Sequence, residues 1–417
     1  MSTLRNRLRL SFHTVMIFLA ILGPGLITAS GDNDAPGIAT YSIAGSYYGY
    51  DMLWVILLIT LGEVVVQEMA ARMGAVTTKG LADLIRERYG VKITFFAILC
   101  LLLANLGTTV AQFAGIAAAT ELLGISRYIT VPLGAIFVWV LVVRGSYGRV
   151  EKVLLGLSLY AIAYIITVFL VQPDWGMVVR RTLVPTVHLQ SDYLLTLLAI
   201  IGTTITPWGA VYMQASVADK GVRPEQYSYT RMDVMTGAIL GNVVSAFIVI
   251  CTAATLFPHG IRVDTAEEAA IALVPLAGPW ARYLFGIGLL GASLLAASVL
   301  PLSTTYAVCE AFGWERGLDN RPGEAPIFFG LYTALILIGG IIVLIPGIPL
   351  FPLMQLSQAL NAILIPVILV LMLRLVNNSK IMGQWTNSRM GNILAWGMTI
   401  FISGATVVML VVSILQG

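Results

Sequence analysis

The sequence predicts an all-α polytopic membrane protein, and three observations carry that expectation. Of its 417 residues, 58% are hydrophobic and only 11% are Asp, Glu, Lys or Arg, against about 25% charged in a soluble globular chain. Apolar segments long enough to cross roughly 30 Å of hydrocarbon recur along the whole length. Two of them, the first and the sixth, are interrupted at mid-depth, which divides ten spans into two five-span halves and leaves an eleventh. The composition excludes a soluble domain, a nucleic-acid binder and a disordered tail. Cys100, Cys251 and Cys309 each lie inside an apolar run, so they read as buried small hydrophobes and not as a disulfide framework. His13, His188 and His259 form no cluster with them for a transition metal.

The eleven spans fall near 12–47, 52–72, 93–122, 129–144, 152–171, 193–218, 233–256, 280–310, 326–345, 351–373 and 392–415. With the N-terminus inside, 19 of the 24 Lys and Arg residues lie on the inner side, so the positive-inside rule predicts N-in and C-out. Arg5, Arg7 and Arg9 ahead of an apolar run resemble a signal peptide, but Gly23, Pro24 and Gly25 interrupt that run and further spans follow, so no cleavage is expected. A single transmembrane domain is expected over 1–417. Its first repeat covers about 12–171, its second about 193–373, and the eleventh span about 392–415. Two loops read as ordered: an amphipathic stretch at 79–89, and an outer helix through 265–275 opened by an Asp264/Glu267 capping box.

In hydrocarbon every backbone N–H and C=O needs an internal partner, so a broken helix survives only where it lines a polar cavity. The first span carries Gly31-Asp32-Asn33-Asp34-Ala35-Pro36-Gly37, in which the glycines tolerate non-helical dihedrals and Pro36 removes a donor. The sixth carries Gly202-Thr203-Thr204-Ile205-Thr206-Pro207-Trp208. Interruptions at equivalent places in two halves are the pattern of an inverted-repeat transporter with its site at the midplane. Pro301 and Pro366 read as simple kinks.

Three acidic residues lie deep within spans: Asp32, Asp34 and Glu63. An ionised carboxylate there costs about 2.5–3.5 kcal/mol even on the lenient insertion scale. No Lys or Arg lies at similar depth, so a cation from outside the sequence, or protonation, must compensate. Thr203, Thr206, Thr109, Gln112, Gln358 and Asn361 add polar oxygens, with Thr206 and Gln358 the best placed. Oxygen-only ligation with carboxylate charge suits Mg²⁺, Ca²⁺ or Mn²⁺. Mg²⁺ keeps several of its waters, and the small residues Gly31, Ala35 and Gly37 would leave room for them.

The stretch GPGLITASGDNDAPGIATYSIAGSYYGYDMLWV (23–55), Gln67-x-x-Ala-Ala-Arg72-x-Gly74, the TPW-centred sixth span with Tyr212-x-x-Ala215-Ser216, Ser357-Gln358 and Ile381-Met382-Gly383 resemble the natural resistance-associated macrophage protein (NRAMP) family of divalent-metal transporters. The resemblance runs from about 20 to 415 and implies a LeuT-like fold of eleven spans. The family's D-P-G-N motif reads Asp34-Ala35-Pro36-Gly37 here, so its metal-binding Asn becomes Gly37. Its A-x-x-M-P-H motif reads Thr203-x-x-Thr206-Pro207-Trp208, so Thr206 replaces a soft Met ligand and Trp208 a His. The third-span Asp and Glu associated with proton movement become Thr109 and Gln112, lost proton-path positions. This combination is similar to the NRAMP-related magnesium transporters.

The resemblance and the residues together predict a transporter, not an enzyme, that takes Mg²⁺ (and Mn²⁺) into the cell by alternating access without proton coupling. Asp34 is the expected main ligand. Glu63 and Asp32 supply charge through water; Thr206, Gln358, Gly37 and the carbonyls of Gly31 and Thr203 complete the site, with Trp208 as its wall. No cofactor is expected, the metal being substrate. The expected surroundings are the lipid bilayer of the plasma membrane, which the chain crosses many times; the sequence does not set the oligomeric state, and a monomer is compatible with it. The main alternative is a proton-coupled Mn²⁺/Fe²⁺ importer. A sodium-coupled amino-acid transporter is disfavoured because two Asp beside the break repel a substrate carboxylate. An intramembrane enzyme is disfavoured because the spans lack an H-E-x-x-H or a nucleophile arrangement.

Overall fold

A computed structural model describes residues 33–144, 162–222, 224, 227–318 and 320–416. Its helices, in chain order, are α1 (Ala35–Tyr48), α2 (Leu53–Thr77), α3 (Leu81–Leu122), α4 (Arg127–Val143), α5 (Ile162–Val171), α6 (Trp175–Leu183), α7 (Ser191–Thr204), α8 (Pro207–Asp219), α9 (Tyr227–Thr255), α10 (Ala266–Ile271), α11 (Val274–Ala277), α12 (Ala281–Phe312), α13 (Pro326–Val343), α14 (Leu350–Val376), α15 (Ser379–Met382) and α16 (Arg389–Gln416). Each predicted span that falls within the described residues meets one of these helices. Eight candidate spans among them are long and apolar enough to cross a membrane, the split pair α7 and α8 counting as one, and α4 is a shorter apolar helix.

The interior is built on α3. It packs against α12 and α14, and also touches α13, α8 and α1. A second group joins α9 to α1 and α2, while α7 lies between α14 and α1. Small residues permit these approaches, as is usual where helices pack in lipid without a hydrophobic driving force between them. A Cβ on Gly202 would stand 1.9 Å from the Gln358 carbonyl oxygen, and one on Gly115 would stand 2.3 Å from the Ala35 Cβ. Glycine is thus required where α7 meets α14 and where α3 meets α1.

Pro301 and Pro366 lie inside α12 and α14, which continue through them. The amphipathic 79–89 stretch forms the start of α3, set off from the span by non-helical Gly90 at φ 77°. The expected capping box is displaced by one residue. Thr265 and Glu268 form it, at the start of α10. The Glu268 carboxylate accepts from the backbone of both Asp264 and Thr265, while Asp264 instead accepts the Tyr47 hydroxyl at 2.7 Å. Helix α6 was not anticipated. Asp174 caps it and Arg180 and Arg181 close it, charges that favour the two ends of a helix dipole.

Candidate cation site at the two helix breaks

The interruption of the sixth span is present between α7 and α8, and α1, which opens at the predicted first break, starts with the same local construction. The Asp34 side chain caps α1, with Oδ1 accepting the Gly37 N–H at 2.8 Å. The Thr206 hydroxyl caps α8 and accepts the Gly209 N–H at 3.1 Å. Each helix therefore starts with a capping oxygen, a proline in the first turn and a glycine three residues after the cap. Proline fits there because the first-turn N–H groups have no intrahelical acceptor. Between α7 and α8 only Ile205 and Thr206 leave the helix. Pro207 has no N–H, so the Thr203 carbonyl loses its helical donor at the negative end of the α7 dipole. The Tyr41 hydroxyl and Thr204 Oγ1, 2.8 Å apart, join the middle of α1 to the end of α7.

Asp34 is 2% exposed. Its second oxygen, Oδ2, accepts a short hydrogen bond from Gln112 Nε2 of α3. Among the described residues no Lys or Arg pairs with it. The Gly115–Ala35 approach sets this contact, because Gln112 lies one turn before Gly115 and Asp34 immediately precedes Ala35.

Glu63, equally buried, faces the other way. It accepts from Asn242 Nδ2 of α9. The same turn of α9 holds Asn33, whose amide donates to the Gly241 carbonyl at 2.9 Å and accepts from Ser245 Oγ at 2.8 Å. Consecutive residues 33 and 34 thus point to opposite neighbours, and the two carboxylates occupy separate polar nodes. Among the described residues no three His, Cys, Asp or Glu side chains gather as a metal-holding group. A ligand set must draw on carbonyls, hydroxyls and amides around one carboxylate.

The remaining expected residues divide. Thr203 Oγ1 is buried without a hydrogen-bond partner, and so is Gln112 Oε1. Such orphans are rare in cores because each costs about 1–3 kcal/mol. Trp208 is fully buried beside the break, and its carbonyl accepts from Ser303 Oγ at 2.9 Å. Its indole N–H is only a donor, which limits it to the wall. Gly37 has no side-chain oxygen, and its N–H donates to the Asp34 cap. The Gln358 amide is occupied within α14, donating to Ser357 Oγ at 3.0 Å and accepting from Asn361 at 3.1 Å. Thr109 bonds its own helix at the Asn105 carbonyl and lies against Gly339 of α13. Gln112, by contrast, lies on Asp34. Gly31 and Asp32 fall outside the described residues.

Sequence reasoning missed Asn242, Ser245 and Asn33. A polar residue recurring in an apolar span was their only signal, and it does not name a partner.

Residues 25–412 match the family model described as natural resistance-associated macrophage protein-like. The chain is 27% identical over 392 residues to the divalent metal cation transporter MntH of Klebsiella pneumoniae, covering 92% of each. It is 27% identical over 404 residues to MntH of Bacillus subtilis, covering 94% of this chain and 92% of that one. Among solved structures it resembles a manganese transporter of Eremococcus coleocola, with TM-score 0.78, 23% identity and coverage of 94% of this chain and 86% of the other. It also resembles MhsT in complex with L-phenylalanine, with TM-score 0.61, 16% identity and coverage of 93% and 98%. These structural likenesses establish a LeuT-like fold.

Proposed function

The chain belongs to the natural resistance-associated macrophage protein-like family, and from that premise we propose that it transports divalent metal cations, Mg²⁺ foremost and Mn²⁺ beside it. It does so inward by alternating access, without proton coupling, and with the ion partly hydrated. The curated relatives are named as divalent metal cation transporters, which supports the broad class. The choice of ion rests on one observation. The buried carboxylate Asp34 caps the start of α1, and Thr203, Thr206 and Trp208, none of them a soft ligand, bracket the break between α7 and α8.

A thioether or imidazole at that break would favour softer transition metals, whereas hydroxyl, carbonyl and carboxylate oxygens favour Mg²⁺ and Mn²⁺. Mg²⁺ is commonly held through one or two carboxylates while retaining waters, and the site offers that number. Asp34 is the direct ligand. Thr206 and the carbonyls of Thr203 and Gly31 complete the shell, and Trp208 bounds it. Glu63 and Asp32 lend negative charge from farther away, while Gln358 orders α14 behind the site. The whole chain acts as one domain of two repeats plus a last span in the plasma membrane, N-terminus inside.

An inside-negative potential of 100 mV favours entry of a dication by about 4.6 kcal/mol, twice the single-charge value. Accumulation then needs no proton. Proteoliposomes holding purified protein and a luminal pH dye test this under an imposed inside-negative potential. Mg²⁺ uptake without luminal acidification is expected. Acidification in step with Mg²⁺ uptake, or Mn²⁺ uptake with no Mg²⁺ uptake, overturns the reading.

A further inference from the structure

We infer that Gln112 is a specificity-determining positioning residue that recognises the water shell of the ion. This rests on the reading of Asp34 as the cation ligand. The two ends of the Gln112 amide are in different situations. Nε2 donates to Asp34 Oδ2 and, with the Gly37 N–H on Oδ1, fixes the carboxylate between two elements. Oε1 has no hydrogen-bond partner, although the residue is fully buried. Because both ends belong to one planar amide, Oε1 is held beside the carboxylate as a neutral acceptor.

A bare dication takes its strongest ligand from the carboxylate itself. A water already bound to that dication is a polarised donor and needs an acceptor just outside the first shell, which is what Oε1 provides. Asp34 then holds the charge and Gln112 reads the hydration. Mg²⁺ surrenders water more reluctantly than larger divalent ions, so an acceptor for bound water favours Mg²⁺ over Mn²⁺. Thr203 Oγ1, another orphaned oxygen, at the end of α7, has the same acceptor capacity, but of the two only Gln112 also bonds the ligand carboxylate.

Replacing Gln112 with Leu keeps the bulk and removes both polar ends without bringing in a soft sulfur ligand. In proteoliposomes Gln112→Leu is expected to raise the KM for Mg²⁺ about tenfold, the size of one lost charge-assisted hydrogen bond, with Vmax little changed. The KM for Mn²⁺ should move much less, so the Mg²⁺:Mn²⁺ preference falls. A merely structural role would depress both ions together through Vmax. An unchanged preference ratio in a variant that still carries both ions overturns the inference. If Gln112→Leu carries neither ion, Gln112→Ser, small and polar, is measured by the same ratio and decides by the same criterion. Wild type that carries no Mg²⁺ sinks the proposed function itself; wild type that carries Mg²⁺ beside an unaltered variant ratio sinks this inference alone.

Discussion

A carboxylate buried at a helix start has two tasks that differ in what they demand of each oxygen. As a cap, Asp34 needs only the lone pair that accepts from Gly37; as a ligand it needs the others aimed at one point, which the Gln112 contact arranges. Thr206 performs the first task at the sixth break with a neutral oxygen. If ligand softness at that position sets the preference, Thr206→Met combined with Gly37→Asn should shift transport toward Mn²⁺, measured as competition between the two ions in one uptake assay. Unmoved selectivity would remove both positions from the choice of ion. Asp34, the two prolines and the two breaks were legible in the sequence because each violates what an apolar span requires. The pairings were not. Gln112 is 78 positions from Asp34, and Asn242 is 179 from Glu63, distances over which no local rule operates. Nor could the sequence say that Asp34 would take its donor from α3 and Glu63 its donor from α9.

Helices here were easier to read than their ends. Hydropathy located the spans because lipid admits little else, and glycine marked the close crossings without naming the partner. Gly202 illustrates this: nothing in the sequence says what it meets, and the structure shows steric necessity against the α14 backbone. Gly202→Ala should destabilise the protein by about 1–3 kcal/mol, the usual cost of overpacking. Gly330, on α13 with nothing near its missing Cβ, is the control, and Gly330→Ala should be neutral or stabilising, since alanine is the better helix former. Thermal denaturation of both variants in one detergent checks this, and equal melting shifts would contradict the packing argument. Ends were harder because several side chains compete for one cap. Asp264 and Thr265 both satisfy the capping pattern, and the Tyr47 hydroxyl, from a distant span, occupies the former.

Across the whole molecule, two differently written halves reach the same device. The start of α1 is capped by Asp34 and that of α8 by Thr206, so of the two capping oxygens only one belongs to a carboxylate. Orientation was read from the placement of Lys and Arg, a property of the membrane that the fold does not encode, and the architecture follows from hydrocarbon physics acting on a nearly uncharged chain. The central claim is that Asp34 holds the ion. Calorimetric titration of Mg²⁺ into purified wild type and Asp34→Asn tests it most directly, because Asn retains the capping oxygen while removing the charge. The account predicts saturable Mg²⁺ binding to wild type and none to the variant, with both melting alike in the absence of metal; equal binding by the two would contradict it.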